Sequence, residues 1–403
     1  MTAKNQFKIA LYFFMAIALL GLILRMVPVF SIVINFSNFL HAHSHVAFLG
    51  WLHGAFISFV SYIFLKDKLH SKYFQFIYWF TIANVFGMYF SFPIQGYKFF
   101  SILFLSLFLV STYLFLHYFF KHKKDVDLYP ATYKFIKGGL WLQFLSSLSP
   151  WSLVFIIKLF GKKSAFYKFD IFYYLHFQYN GWFLFAFIGL TMYLLERRNI
   201  TICATKVKQI YQLLMIAVFF GYFYNTLWDQ PGYLYNGLSI IGGAAEIVAL
   251  FILLKILQQY YHYLQHSISD FSYKILTIVL ITLFVKAVLQ FMGSFQYYAD
   301  LSYHIRDFII GYLHIITLGI FTPFLLVLAS ELAFINLNKK AFYTFFSGYL
   351  FIEALLFLRG TLTWFKIENN GDLFNKALFL FTLWMFIGII WMGINSKQKK
   401  NEL

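Results

Sequence analysis

Charge is what this sequence has least of. Only 12% of its 403 residues are Asp, Glu, Lys or Arg, about half the share of an ordinary soluble domain. The single cysteine, Cys203, excludes an intrachain disulfide and any cysteine-based metal site. Prolines number six, and no linker-like or low-complexity stretch divides the chain. No basic patch with interleaved surface polarity is present, so the sequence gives no reason to expect a nucleic-acid partner. What is there is apolar and aromatic: 61% hydrophobic residues, 24% Phe, Trp or Tyr, and a mean hydropathy of +0.71. Such a chain escapes aggregation only in lipid. Disordered, collagen-like and disulfide-framework classes are excluded by the same composition.

Apolar runs fall at roughly 8–30, 45–65, 73–93, 99–120, 132–158, 169–195, 207–228, 233–257, 273–295, 304–330, 341–362 and 374–395, each about long enough to cross a bilayer. The expectation is an all-α polytopic membrane protein of about 12 transmembrane helices, with residues 1–403 forming one integral membrane domain. The first run carries Arg25 and Pro28 and lacks a small-residue cleavage site, unlike a signal peptide. Lys and Arg total 32 against 15 Asp and Glu, and in a membrane protein that excess reports topology first. Placing both termini in the cytoplasm puts most lysines and arginines inside, which suits the inner (cytoplasmic) membrane. The basic stretch 158–168 is the one dissenting loop.

The histidines sort by depth. His70, His117, His122, His262 and His266 fall at cytoplasmic helix ends. The other seven, His41, His43, His45, His53, His176, His304 and His314, all belong to the second, sixth and tenth runs or their outer mouths. At about 1.5 Å per residue from the inner ends, His45 and His176 lie about 31 Å up, His314 about 26 Å and His53 about 20 Å. Imidazoles from three helices can therefore meet at one level. Ionisable groups inside a membrane point to function by default, and neutral imidazole is the commonest metal ligand. His41 and His45 share a face at i, i+4, with His53 two turns below and about 80° around. Gly50 and Gly54 form a small-xxx-small pair that lets a neighbouring helix or a flat cofactor approach. Asn180 lies one turn from His176, and Asp307 shares a face with His314.

These motifs are His-x-His-x-His at 41–45 followed by Gly50-Trp51, Leu-His-Phe-Gln-Tyr-Asn-Gly-Trp at 175–182, and Arg-Asp-Phe-x-x-Gly-Tyr-Leu-His at 306–314 with Thr322-Pro323. The chain resembles subunit I of the haem-copper oxidase superfamily, and also the related NnrS-like membrane proteins. The resemblance implies three arcs of four helices and a haem b between the second and tenth helices. Its axial candidates are His45 or His53, and His314, with Arg306 (and Arg25) near the propionates. It also implies a second metal position, copper, among His41, His43, His176, His304 and Asp307. The seventh run, 210–224, has no histidine where the oxidases carry a pair, so a complete copper site is not expected. The implied function is electron transfer or the handling of nitric oxide or oxygen, as a haem-dependent oxidoreductase if it is an enzyme. The implied partners are the lipid bilayer and a redox protein or quinol.

Two other classes stay open. Twelve spans with both ends inside suit a secondary transporter, and histidines beside a carboxylate suit a membrane metal-dependent hydrolase. Glu246, Lys286, Glu353 and Arg359 are also embedded. Buried charges in lipid pair or line a wet path, and Lys286 has two candidate partners, Glu246 and Glu353. Trp51, Trp182 and Trp228 lie near the histidine level, where they are candidates to flank a porphyrin.

Overall fold

The computed structural model describes residues 1–396. Among them are eleven helices long and apolar enough to cross a membrane. We number the spans α1 (Ala3–Phe30), α2 (Phe36–Phe64), α3 (Lys72–Gln95), α4 (Phe99–His122), α5 (Pro130–Phe160), α6 (165–196), α7 (Ala204–Asp229), α8 (Tyr233–Gln259), α9 (Asp270–Met292), α10 (Arg306–Glu331), α11 (Lys339–Trp364) and α12 (Gly371–Asn395). Only α6 falls outside those eleven; it is a continuous helical stretch whose middle carries His176, Gln178 and Asn180. No strand occurs among the described residues, and the protein is an all-α, multi-pass membrane protein.

The helices begin where a polar side chain can accept from an orphan amide. Thr2, Asn35, Ser71, Ser164, Ser269, Asn338 and Asn370 each accept from the backbone N–H three residues on, the usual way to satisfy a helix N-terminus. α5 lacks such a cap and borrows one. Glu196, at the end of α6, accepts from the Ala131 amide at 2.8 Å, the Thr132 amide at 3.0 Å and the Thr132 hydroxyl at 2.7 Å. Between α3 and α4 the chain turns at Gly96, with φ of 63°. A side chain there would collide with Asn38 as well as strain the backbone.

The described residues form two compact units, 1–124 with 317–396, and 125–316. Burial singles out the histidine-bearing spans. In its most apolar stretch α2 is 83% buried and α10 72%, while none of the other nine exceeds 56%. In α6 every residue from His176 to Glu196 is buried. The remaining spans leave much of their apolar surface exposed, as lipid-facing helices do.

One feature had no precedent in the hydropathy pattern. α2, α6 and α10 each switch to a π-helical turn: Val46–Leu52, Phe177–Phe183 and Ile315–Phe321. Each turn starts immediately after a histidine: His45, His176 or His314. Glycine follows that histidine at the fifth place in all three (Gly50, Gly181, Gly319), and then Trp51-Leu52, Trp182-Phe183 or Ile320-Phe321. The motif His-x4-Gly-(Trp/Ile)-(Leu/Phe) thus recurs on every fourth span, a long-period internal repeat.

Candidate functional site

In the first unit the α2 imidazoles fan out toward different neighbours. His41 Nε2 meets the Ser37 hydroxyl at 3.2 Å. His43 Nδ1 lies 3.0 Å from the Ile17 carbonyl and therefore donates to it, which leaves the neutral ring's lone pair on Nε2. Gly21 makes room for that ring, since a Cβ there would come within 3.0 Å of His43 Cε1. His45 Nε2 bonds the Tyr97 hydroxyl at 2.7 Å, and its ring stacks on Phe92 at 4.7 Å. His53 is buried, edge-on to Phe108 at 5.4 Å.

The π turn corrects the helical-wheel expectation for α2. One extra residue in a turn retards the helix face by about 100°. His53 is thereby brought from about 80° to within about 20° of His45. Both imidazoles accordingly contact the α3–α4 hairpin, His45 through Phe92 and Tyr97, His53 through Phe108. Gly50 and Gly54 are close-packing positions: a Cβ on Gly50 would meet Val85 at 2.8 Å, and one on Gly54 would meet Ala10 at 3.3 Å. Protein, rather than a flat cofactor, occupies that face. Trp51 is likewise a packing residue, stacked on Phe14 at 4.8 Å with its indole N–H donated to the Thr322 hydroxyl at 2.9 Å. That bond accounts for the threonine of Thr322-Pro323.

The second unit holds a buried polar chain. Glu246 of α8 and Lys286 of α9 form an ion pair of 2.6 Å with side chains 2% and 3% exposed. Glu353, the other candidate, lies in the first unit within the field of Arg25. Lys286 donates also to Asn180 Oδ1. Asn180 Nδ2 then donates to His176 Nδ1 at 3.1 Å, and His176 Nε2 donates to the Val218 carbonyl at 2.8 Å. Every donor direction in the chain is fixed by its neighbour. Both nitrogens of His176 are consumed by protein, so no lone pair remains for a metal. Beside it, Tyr179 and Tyr224 join hydroxyls at 2.8 Å, Tyr224 also bonds Tyr312, and Tyr312 donates to Gln290 at 3.0 Å.

His304 is not part of α10. It ends a separate helix, Gln296–His304, because Ile305 adopts an extended backbone, and its Nδ1 donates to the Asp300 carbonyl at 2.8 Å. Arg306 opens α10 and is exposed; Asp307 follows in the first turn, and His314 ends the α-helical part, half-buried. Trp228 stacks on Tyr303 at 4.3 Å beneath the Lys168 ammonium, and Trp182 is fully buried. Among the described residues no three His, Cys, Asp or Glu gather as a metal ion requires. Within the second unit His176, His304 and Asp307 do not gather around one point, and His41 and His43 belong to the first unit.

Sequence reading missed Tyr97, Tyr224, Gln290 and Tyr312, since tyrosines in a chain this aromatic carry no local signal. It also missed the His-x4-Gly repeat, which self-comparison at offsets of 131 and 138 residues reveals in the register of His45, His176 and His314. A comparison with protein-family models gives no match, and neither does one with curated proteins.

Proposed function

We propose that this is a haem-binding membrane protein of the oxidase-like kind, working in electron transfer or in handling a diatomic gas such as nitric oxide or oxygen. The observation that carries the reading is the recurrence of a histidine at the head of a π turn on α2, α6 and α10. π turns concentrate at functional sites, and these three helices are the most buried of the twelve. An axial imidazole needs one nitrogen held by a carbonyl or carboxylate and the other presenting its lone pair. His43 has one nitrogen so held, by the Ile17 carbonyl. It joins His45 and His53 as a candidate in the first unit, and His314 is the candidate in the second. A haem b held by imidazoles of this kind would supply one-electron redox chemistry. The protein's own contribution is to hold the rings in one tautomer and to exclude water.

The test is an absorption spectrum of the detergent-purified protein from haem-replete cells, with pyridine haemochrome quantification. A Soret band that shifts on reduction is expected. It should be lost in at least one of His43→Ala, His45→Ala, His53→Ala and His314→Ala, and retained in His176→Gln. A colourless preparation refutes the proposal. The buried Glu246–Lys286 pair supports a second reading, a proton-coupled secondary transporter, for which substrate uptake into proteoliposomes abolished by Glu246→Gln is the corresponding test.

A further inference from the structure

We propose that the α5–α6 hairpin is a binding site for anionic phospholipid headgroups. From Gly138 to Ile157 the sequence carries no charge, a stretch of about 30 Å at the helical rise that matches the hydrocarbon thickness of a bilayer. Lys158, Lys162 and Lys163 follow at once, which places their ammonium groups at headgroup level. Their neighbours are apolar and outward-facing: Leu159 is 71% exposed, Phe160 54% and Phe166 55%. These continue the lipid-facing Val154 and Phe155 of α5. Aromatic and lysine side chains side by side at the end of a span are interfacial anchors.

Two contacts make the hairpin a fixed platform. The Asp170 carboxylate accepts from Ser149 at 2.8 Å and from Ser152 at 2.6 Å, tying α6 to α5. Lys168 Nζ lies over the rings of Trp228 and Tyr303 at 4.9 and 5.0 Å, bracing the base. Lys168 is therefore spent on structure, and the Asp170 carboxylate is already taken by serine hydroxyls. No acidic residue lies between 158 and 169. Three lysines at one level with no acid among them and apolar flanks fit a phosphodiester headgroup whose acyl chains run down α5.

Native mass spectrometry of the full-length protein in detergent, titrated with phosphatidylglycerol or phosphatidylcholine of equal chain length, tests this. Wild type should prefer phosphatidylglycerol, and the preference should weaken as salt rises. K158Q/K162Q/K163Q should bind phosphatidylglycerol about fivefold more weakly per lysine removed, with phosphatidylcholine unaffected; K158R/K162R/K163R should bind like wild type. The wild-type salt series stands even if the glutamine variant fails to fold. Equal affinity for the two lipids, salt-independent binding, unchanged binding by the glutamine variant, or failure of the arginine variant overturns the proposal. So does full displacement of the lipid by inorganic phosphate, which would make the site one for the free anion. An acidic protein that co-purifies with wild type and is lost with the lysines, while lipid affinity stays constant, also overturns it.

Discussion

Removing one partner of the Glu246–Lys286 pair should damage this protein far more than removing both. The pair is 2.6 Å long and almost wholly inaccessible, so either single change leaves a charge in an apolar interior. Breaking a buried pair in this way costs about 3–5 kcal/mol. Glu246→Leu and Lys286→Met are each expected to lower stability by that amount, a drop of more than about a hundredfold in the ratio of folded to unfolded protein. The double variant removes both charges and fills their volume. What remains is Asn180, whose Oδ1 loses the Lys286 donor, a deficit of about 1–3 kcal/mol. Additive behaviour would put the double variant about 6–10 kcal/mol below wild type, so the coupling is several kcal/mol and opposite in sign to the single losses. Equilibrium unfolding of detergent-solubilised protein in rising dodecyl sulfate, followed by far-UV circular dichroism, measures all four corners of the cycle. Single variants within about 1 kcal/mol of wild type, or a double variant equal to the sum, would refute the assignment of an uncompensated buried charge.

Glu196→Ala should destabilise the protein by about 1–3 kcal/mol by orphaning two buried amides, with faster hydrogen exchange confined to Ala131, Thr132 and the following turn; unchanged exchange there would show that water replaces the cap. Lys124 holds the exposed Asp67 carboxyl below its ordinary range through a 2.8 Å hydrogen bond. That contribution is present above the ordinary carboxylate pKa and is lost as pH falls through the lower folded one. The pH dependence of stability below about pH 4 should therefore be shallower in Asp67→Asn, the difference vanishing in high salt. Cys203 is exposed just before α7, and the amides of Lys206 and Thr205 lower its thiol pKa. It should react with a maleimide faster than glutathione does at neutral pH. If both termini are inside, a membrane-impermeant maleimide should label it only in inverted vesicles; labelling of intact cells would refute that orientation.

The spans were legible because hydropathy is additive along the chain. The run at 73–93 became Lys72–Gln95 and that at 374–395 became Gly371–Asn395, since each depends only on local composition. α2 starts nine residues before its apolar run, at Phe36 rather than 45, because Asn35 caps it and the polar His-x-His-x-His segment is helical too. The i, i+4 proximity of His176 and Asn180 was also legible, as it needs nothing beyond helix geometry. The π turn after His45 was not. It leaves no mark in composition, yet it moves His53 onto the face of His45. The end of the helix before α10 was equally silent, and it removed His304 from the tenth span.

The amino-acid order alone determined that this chain lives in lipid, crosses it about a dozen times, and carries His45, His176 and His314 on every fourth span, because those properties are read from residues taken one at a time. Which carboxylate meets Lys286, which ring atoms of His43 and His176 are spent on carbonyls, and which glycines receive a neighbouring helix were decided only in three dimensions. Each depends on how one helix is rotated against another, and a shift of a single residue in a π turn changes that rotation by about a quarter of a circle.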